Sequence, residues 1–358
     1  MARLRVFLLT YRRPHLLRRA LGSLLGQTMT DWICELHNDA PGDDSPRAIL
    51  NELAPLDPRI EYRPHDHNWG AVATFNHAFA GGPEPYASIL EDDNWWEPRF
   101  LKRSLAALEF YPSAALAWAN MRLWQEKPDG HWTDTGRDIW RCPPGLAPRC
   151  FAQPVALQSV DALHSNGAMV YRAQLSARAL VPPQTPFDII EPVRERLLPG
   201  SLVFVPEVLA NFAVGHTTAR SAEPAAWLQS QLLVAASFFA RARLSPDTAA
   251  ALWHQRRSLR PRSTDSLLLA GLCCAAPWSL LRCSRPGDRL HFLLRAVRHF
   301  NVLRRGLRFR QDHAELWQTL QAHCTPVVEA EPLVAKELAT PADQSPIDRM
   351  LLPARTPG

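Results

Sequence analysis

Residues 86–96 read Tyr-Ala-Ser-Ile-Leu-Glu-Asp-Asp-Asn-Trp-Trp. Tyr86 to Leu90 is a short apolar run of strand length, and it leads straight into Glu91, Asp92 and Asp93. Three consecutive carboxylates repel one another unless a cation or positive side chains offset them. Their oxygens are hard ligands suited to Mn²⁺ or Mg²⁺, ions that bind through one or two carboxylates together with substrate phosphates. The alternative reading is a solvated acidic turn capping a helix expected from Trp96.

Upstream of this stretch, strand and helix signals alternate. Leu4 to Leu9 reads as a buried strand. Pro14 opens a helix whose stripe is Leu16, Leu17, Ala20, Leu21, Leu24 and Leu25. Trp32 to Leu36 reads as a second strand, residues 38–45 as turn chemistry, and a second helix runs to about Leu53. Ile60 to Arg63 is a third strand, and Ala71 to Ala80 a third helix ended by Gly81-Gly82. This alternation predicts an α/β fold with a mostly parallel sheet flanked by helices. In such sheets ligands sit at the carboxyl ends of the strands.

Three polar clusters fall at those ends: Thr10-Tyr11-Arg12, Asn38-Asp39 and Glu91-Asp92-Asp93. The Tyr11 ring can stack on a nucleobase or simply pack, and Thr10 can bond a base or a phosphate. Asp39 can accept from an N–H edge such as that of uracil, or close an Asx-turn. Asn68-Trp69-Gly70 offers free N–H groups at a helix start, or is a plain N-cap.

Downstream the order is less regular. Ala114 to Leu123, Ala168 to Tyr171 and Leu202 to Val205 read as strands, and Trp132 to Pro148 as a Pro/Gly-rich loop region. Residues 224–243 and 245–259 read as helices, with 263–281 apolar and helical up to Pro277. Residues 287–310 read as one long basic amphipathic helix, with 312–323 continuing it, and the chain from about 326 as a Pro-rich, loosely packed tail. The domains expected are therefore 1–220, a basic helical region 221–325 and the tail 326–358.

The chain has 358 residues, 46 % of them hydrophobic and 21 % charged, a globular composition that excludes disorder. Seven Cys without CxxC pairs or zinc-spaced Cys/His clusters exclude a disulfide scaffold and point to a reducing, cytoplasmic setting. The run Val6 to Leu9 is too short for a signal peptide, and no run of about 20 apolar residues exists to span a membrane. The net charge of +5 is uneven: −2 over 1–220, +9 over 221–320 and −2 over 321–358. Between Arg282 and Arg310 stand nine Arg and one acid, Asp288. Leu290, Leu293, Leu294, Val297, Phe300, Leu303 and Leu307 recur there at steps of mostly 3 and 4. Such a helix can lie on an anionic membrane surface or pack on the 1–220 domain with a solvated Arg face.

Taken together, VFLLTYRRPHLLRRALGSLLGQTMTDWICELHND, HNWGAVATFNHAFAGG and YASILEDDNWWEPRFL resemble, in order and spacing, the inverting family 2 glycosyltransferases of GT-A fold. The resemblance covers residues 3–101 and includes Gln27-Thr28. It implies a GT-A type, Rossmann-like catalytic domain with a C-terminal helical extension. It assigns a nucleotide-sugar pocket to Thr10, Tyr11, Arg12, Asp39, Asn68, Gly70, Asn76 and Asp92. Asp93 would hold the metal, joined by Glu91 and by His216. Asn38 stands where the family often has an Asp, and Glu-Asp-Asp-Asn replaces a strict Asp-x-Asp motif. The segment His164 to Arg172 resembles the strand before the family's acceptor segment. The family's catalytic base falls about 25 residues before the His, which points to Glu191 or Asp188. Pro192 argues that Glu191 is not mid-helix.

The mechanism implied is direct displacement at the anomeric carbon, with a carboxylate base and a divalent cation, onto a glycan or lipid-linked acceptor. The setting expected is cytoplasmic, peripheral at the inner face of the membrane. Three other readings stand beside it. A nucleotidyltransferase wants a Gly-rich basic loop where Thr10-Tyr11-Arg12-Arg13-Pro14 stands. A nucleic-acid binder leaves the strand-end carboxylates unexplained, so no nucleic acid is expected as partner. A degenerate member binds the nucleotide sugar without turnover.

Overall fold

The computed structural model describes residues 2–140, 142, 145–151, 165–215, 223–241, 245–247, 249–250, 253, 264–274 and 277–323. These residues group into two compact units. The first comprises 1–153, 163–183 and 197–218, and the second 154–162, 184–196 and 219–358.

The first unit is built on one sheet. Its strands are β1 (Leu4–Thr10), β2 (Trp32–Asn38), β3 (Ile60–Pro64), β4 (Tyr86–Glu91), β5 (Trp95–Trp96), β6 (Ala114–Glu126), β7 (Trp132–Asp138), β8 (Arg149–Phe151), β9 (Met169–Arg172) and β10 (Ser201–Val214). The order is β3-β2-β1-β4-β9-β6-β10-β5, with β7 on β6 and β8 on β10. The pairs β2–β3, β1–β2, β1–β4 and β6–β10 are parallel. The α/β sheet flanked by helices is the architecture the alternation predicts, but the sheet is mixed rather than mostly parallel: β4–β9, β6–β9, β6–β7, β5–β10 and β8–β10 are antiparallel. Val6, Phe7, Leu8, Ile89 and Leu90 are buried because the central strands are covered on both faces.

The crossovers are α1 (Pro14–Leu25), α2 (Ser45–Leu53) and α3 (Ala71–Ala80). The chain lays down β1, β2 and β3 outward, then returns through α3 to put β4 on the other side of β1. That reversal is a topological switch point, and the crevice for a ligand opens beyond the carboxyl ends of the two strands flanking it, β1 and β4.

Gln27-Thr28 has a structural task here. Gln27 Nε2 donates to the Glu97 carbonyl at 2.9 Å, Leu101 N donates to Gln27 Oε1 at 3.1 Å, and Thr28 N donates to the Pro98 carbonyl at 2.8 Å. The end of α1 thereby clamps the segment that follows the three carboxylates.

Some local expectations are corrected. Trp95–Trp96 is a short strand pairing with Ala210 and Asn211, and the next helix, α4 (Phe100–Phe110), starts four residues later than Trp96. Trp132–Asp138 is a strand rather than a loop. It carries little apolar signal because it is an exposed edge, held by Arg122 to Asp138 and Asp134 at 2.6 and 3.1 Å. β10 runs on past Pro206, which is absorbed by a register shift between Val205 and Val208.

After α5 (Ala173–Ser176), the second unit contains α6 (Ile190–Leu197, whose last residue falls in the first unit), α7 (Pro224–Arg241), α8 (Thr264–Leu272), α9 (Pro277–Cys283), α10 (Pro286–Arg298), α11 (Phe300–Gly306), α12 (Phe309–Asp312) and α13 (Ala314–Ala322). Pro277 opens a helix instead of ending one. The expected single helix over 287–310 is three, broken at His299 and again after Gly306. Side-chain periodicity cannot register such breaks. Gly306 has a packing reason, since a Cβ there would run into Leu228. A buried cluster including Phe238, Phe239, Trp253, Leu267 and Leu280 forms the core of this unit. Among the described residues no helix is long and apolar enough to cross a membrane. The tail 326–358 and most of 245–259 lie outside the described residues.

Candidate active site

β1 ends at Thr10 and β4 at Glu91, side by side, and the residues just beyond them converge. Asp92 is fully buried. Its Oδ2 accepts from Thr10 Oγ1 at 2.8 Å and from Tyr11 N at 3.3 Å, and its own N donates to the Leu9 carbonyl at 3.0 Å. Arg13, which no sequence argument singled out, lies between the two aspartates. Its Nη2 is 2.6 Å from Asp92 Oδ1 and its Nη1 is 2.7 Å from Asp93 Oδ2. The contact to Asp93 is an aligned hydrogen bond. That to Asp92 is a charge contact only, so Asp92 Oδ1 is a buried oxygen without a hydrogen bond. Burial pushes the Asp92 carboxyl up, to about 7, against the pull of Arg13 and with a further push from Asp93. Asp93 keeps 20 % of its side chain exposed, so it is the member of the pair open to a ligand.

Arg19 is a second cation that the sequence did not reveal. Its Nη2 donates to the Asp93 carbonyl at 2.8 Å, and its guanidinium lies 3.7 Å from the Trp95 ring centroid and 4.6 Å from that of Trp132. Burial pushes it down to about 10. Arg12 adopts φ +57°, an uncommon conformation for a side chain of its size, and its guanidinium sits 5.1 Å from the Tyr11 ring. Tyr11 itself is 40 % exposed. Thr10, Tyr11, Arg12, Asp92 and Asp93 are thus brought together.

Glu91 is committed elsewhere. Its Oε2 accepts from Asn94 Nδ2 at 3.0 Å, Ser165 Oγ at 3.1 Å and Gly167 N at 3.2 Å. These bonds tie the end of β4 to residues 165–167, the segment leading into β9. Asn94 completes the tie by accepting from Ala213 N at 3.3 Å.

Asp39, just past the end of β2, is also well occupied. Oδ1 accepts from Trp69 N at 2.6 Å and from His65 Nδ1 at 2.9 Å, while Oδ2 accepts from Gly70 N at 3.1 Å and lies 3.5 Å from Thr74 Oγ1. The backbone donors at the start of α3 are therefore directed at Asp39. Gly70 has φ +77°, which turns the chain to present them. A nucleobase bonded to Asp39 has to replace one of these donors. Asn68 is exposed. The Asn76 amide makes bonds of 2.8 and 3.0 Å with the Val181 backbone, tying α3 to a later loop.

Asp188 lies in a single 3₁₀ turn, Phe187–Ile189, and Glu191 in the first turn of α6, where Pro192 loses no helical bond. Both belong to the second unit, although they fall inside the 1–220 span. His216 and His164 lie outside the described residues.

Paired aspartates and guanidinium groups at the switch point of the parallel strands β3-β2-β1-β4 have the makings of a site for an anionic, phosphate-bearing ligand. Residues 6–149 match the family described as Glycosyl transferase family 2. Over 116 residues the chain is 30 % identical to WcaA of Escherichia coli (strain K12), a protein named for a glycosyl transferase role in colanic acid biosynthesis. That stretch covers 32 % of this chain and 41 % of WcaA, so the match spans less than half of the relative's length. In fold, the chain is similar to S. aureus TarS 1–349 (TM-score 0.54, 12 % identity, 87 % of this chain and 91 % of that one). The same TarS segment solved with UDP-GlcNAc gives a TM-score of 0.55 at 12 % identity, over 87 % of this chain and 92 % of that one. The match to this family lies over residues 6–149, and the α/β fold is similar to that of TarS.

Proposed function

We propose that the protein transfers a sugar from a nucleotide-sugar donor to a hydroxyl of a glycan or lipid-linked acceptor, with inversion at the anomeric carbon. The observation that carries this reading is the pairing of buried Asp92 with partly exposed Asp93 at the switch point, bracketed by Arg13. A hard divalent cation suits this donor set. Asp93 supplies an accessible carboxylate, and Asp92 Oδ1 is a buried oxygen lacking a hydrogen bond. Mn²⁺ or Mg²⁺ held by Asp93, with Asp92 beside it, would offset charge on the departing diphosphate. Glu91 is the weaker candidate ligand because three donors already occupy its Oε2.

The remaining work falls to the chain's own groups. Thr10 and the Tyr11 amide fix Asp92 in place, while the exposed Tyr11 ring offers a stacking face to a nucleobase. Arg13 and Arg19 add positive charge where a diphosphate has to lie. Glu191 or Asp188 takes the acceptor proton as its oxygen attacks, so no covalent sugar–enzyme intermediate forms. That TarS was solved with UDP and with UDP-GlcNAc supports a nucleoside diphosphate sugar as donor.

The reading includes a peripheral membrane setting, at the inner face. In α10, Leu290, Leu293, Leu294 and Val297 form one stripe and are 58 to 76 % exposed. The opposite side anchors the helix, with Arg295 Nη1 at 3.0 Å from Asp265 Oδ2. An outward apolar stripe within the segment 282–310, which carries nine Arg, suits an anionic lipid surface bearing a lipid-linked acceptor. The test is donor turnover. Transfer and donor hydrolysis that vanish in Asp93→Ala, with melting behaviour retained, support catalysis at this site. Turnover undiminished in Asp93→Ala defeats it.

A further inference from the structure

We propose that Glu35, His37 and His77 form a second metal site, for a transition-metal dication of the zinc class, separate from the aspartate pair. Glu35 and His37 stand two residues apart on β2, so they share a face of the sheet, and His77 comes from α3. Glu35 Oε2 lies 3.0 Å from His37 Nε2 and 3.8 Å from His77 Nε2. The three candidate ligand atoms all lie within 4.8 Å of one another. A tetrahedral ion with bonds of about 2.0–2.1 Å separates its ligands by about 3.4 Å. The observed spacings bracket that value, so small side-chain adjustments close the site. Two imidazoles and a carboxylate favour zinc, cobalt or nickel over the oxygen-preferring Mn²⁺ and Mg²⁺. His77 is 44 % exposed, which leaves an approach for the ion and for a water as fourth ligand.

The second observation is a proton inventory. His37 Nδ1 lies 2.9 Å from His65 Nε2, and His65 Nδ1 lies 2.9 Å from Asp39 Oδ1. Asp39 also receives the Trp69 and Gly70 amides, so it acts as an acceptor. His65 therefore donates to it from Nδ1 and, when neutral, accepts at Nε2 from His37 Nδ1–H. A neutral His37 is left with a lone pair on Nε2, facing a carboxylate oxygen at 3.0 Å. Three hydrogen bonds in series need three protons, and two neutral imidazoles carry two. Either a further proton on one imidazole or a cation at the Glu35 end supplies what is missing. A metal ion there completes the chain, fixes both tautomers and gives His37 the outer-shell partner that metal-bound histidines ordinarily have. The nearby positive charge of Arg5, which pairs with Glu35, is shared with Glu84, whose Oε2 lies 2.6 Å from Arg5 Nε.

The test is a Co²⁺ titration of the chelator-stripped full chain, read by visible absorption, with Zn²⁺ calorimetry beside it. The expected result is one saturable site that persists in Asp93→Ala and weakens at least about tenfold in His77→Gln. His77 is exposed, so this substitution leaves the core intact, and His77→Cys should restore binding with a thiolate charge-transfer band. Absence of a saturable site in Asp93→Ala protein overturns the proposal, as does binding that His77→Gln leaves unchanged.

Discussion

Arg13 occupies ground that a metal at Asp93 would share, and replacing it should therefore change metal affinity in a definite direction. The guanidinium touches both aspartates, at 2.6 and 2.7 Å. A dication bound by Asp93 would sit about 5 Å from the guanidinium charge. A +1 and a +2 charge at that distance repel by about 1.7 kcal/mol even at the dielectric of bulk water, and by more in a partly buried site. Since about 1.4 kcal/mol is tenfold, Arg13→Gln should bind Mn²⁺ at least about ten times more tightly than the parent chain in the absence of nucleotide. The cost appears without metal. Asp92 is fully buried and loses its counter-charge, so metal-free Arg13→Gln should melt lower. Breaking a fully buried pair costs about 3–5 kcal/mol, and the 32 % exposure of Arg13 places this one toward the lower end. The assay is a Mn²⁺ titration followed by electron paramagnetic resonance of the free ion, with Asp93→Ala as the control. Affinity unchanged or weakened in Arg13→Gln would refute the reasoning.

Asp39→Asn puts an NH2 donor in place of one carboxylate oxygen, opposite the Trp69 or the Gly70 amide, and the lost bond should cost about 1–3 kcal/mol, seen as a lower melting temperature with or without nucleotide. The neighbouring His37 and His77 imidazoles, with the charge of Arg5, hold the Glu35 carboxyl well below its usual range. A depressed carboxylate stabilises the fold above its unfolded value of 4.5 and loses that contribution as pH falls toward the folded value. The excess in melting temperature of the parent over Glu35→Gln should therefore shrink as pH drops from about 6 to about 3. Of Glu191→Gln and Asp188→Asn, the one that removes the base should cut transfer by about 100-fold or more while keeping nucleotide binding, measured by steady-state kinetics and calorimetry.

The strands that carry the proposed donor site were legible because each is an apolar run ending in polar residues. β1 and β4 are buried on both faces, so their composition announces them, and the carboxylates follow directly. β7 was not legible, since an exposed edge strand held by Arg122 and two aspartates has no hydrophobic pattern. Nor were the breaks in the basic helix, because helical periodicity runs through a kink unchanged. Arg13 caps the start of α1 and Arg19 stands in its second turn, and only the fold turns them toward Asp92 and Asp93. The same holds for His37, His65 and His77. They fall on β2, after β3 and on α3, at spacings matching no zinc motif, and become neighbours only when the strands pair. Glu91, Asp39 and Asn76 carry roles in holding the structure that a motif cannot separate from ligand contacts.

The account stands or falls on a donor site at Asp92 and Asp93. The most direct measurement is the melting temperature against UDP, GDP, dTDP, CMP and their common sugars, each with and without Mn²⁺. A ligand at about 100 times its Kd adds about 2.7 kcal/mol, a shift of a few degrees for a chain of this size. The account predicts a Mn²⁺-dependent rise with one nucleoside diphosphate and its sugar, lost in Asp93→Ala. No rise with any nucleotide, or an equal rise in Asp93→Ala, would contradict it.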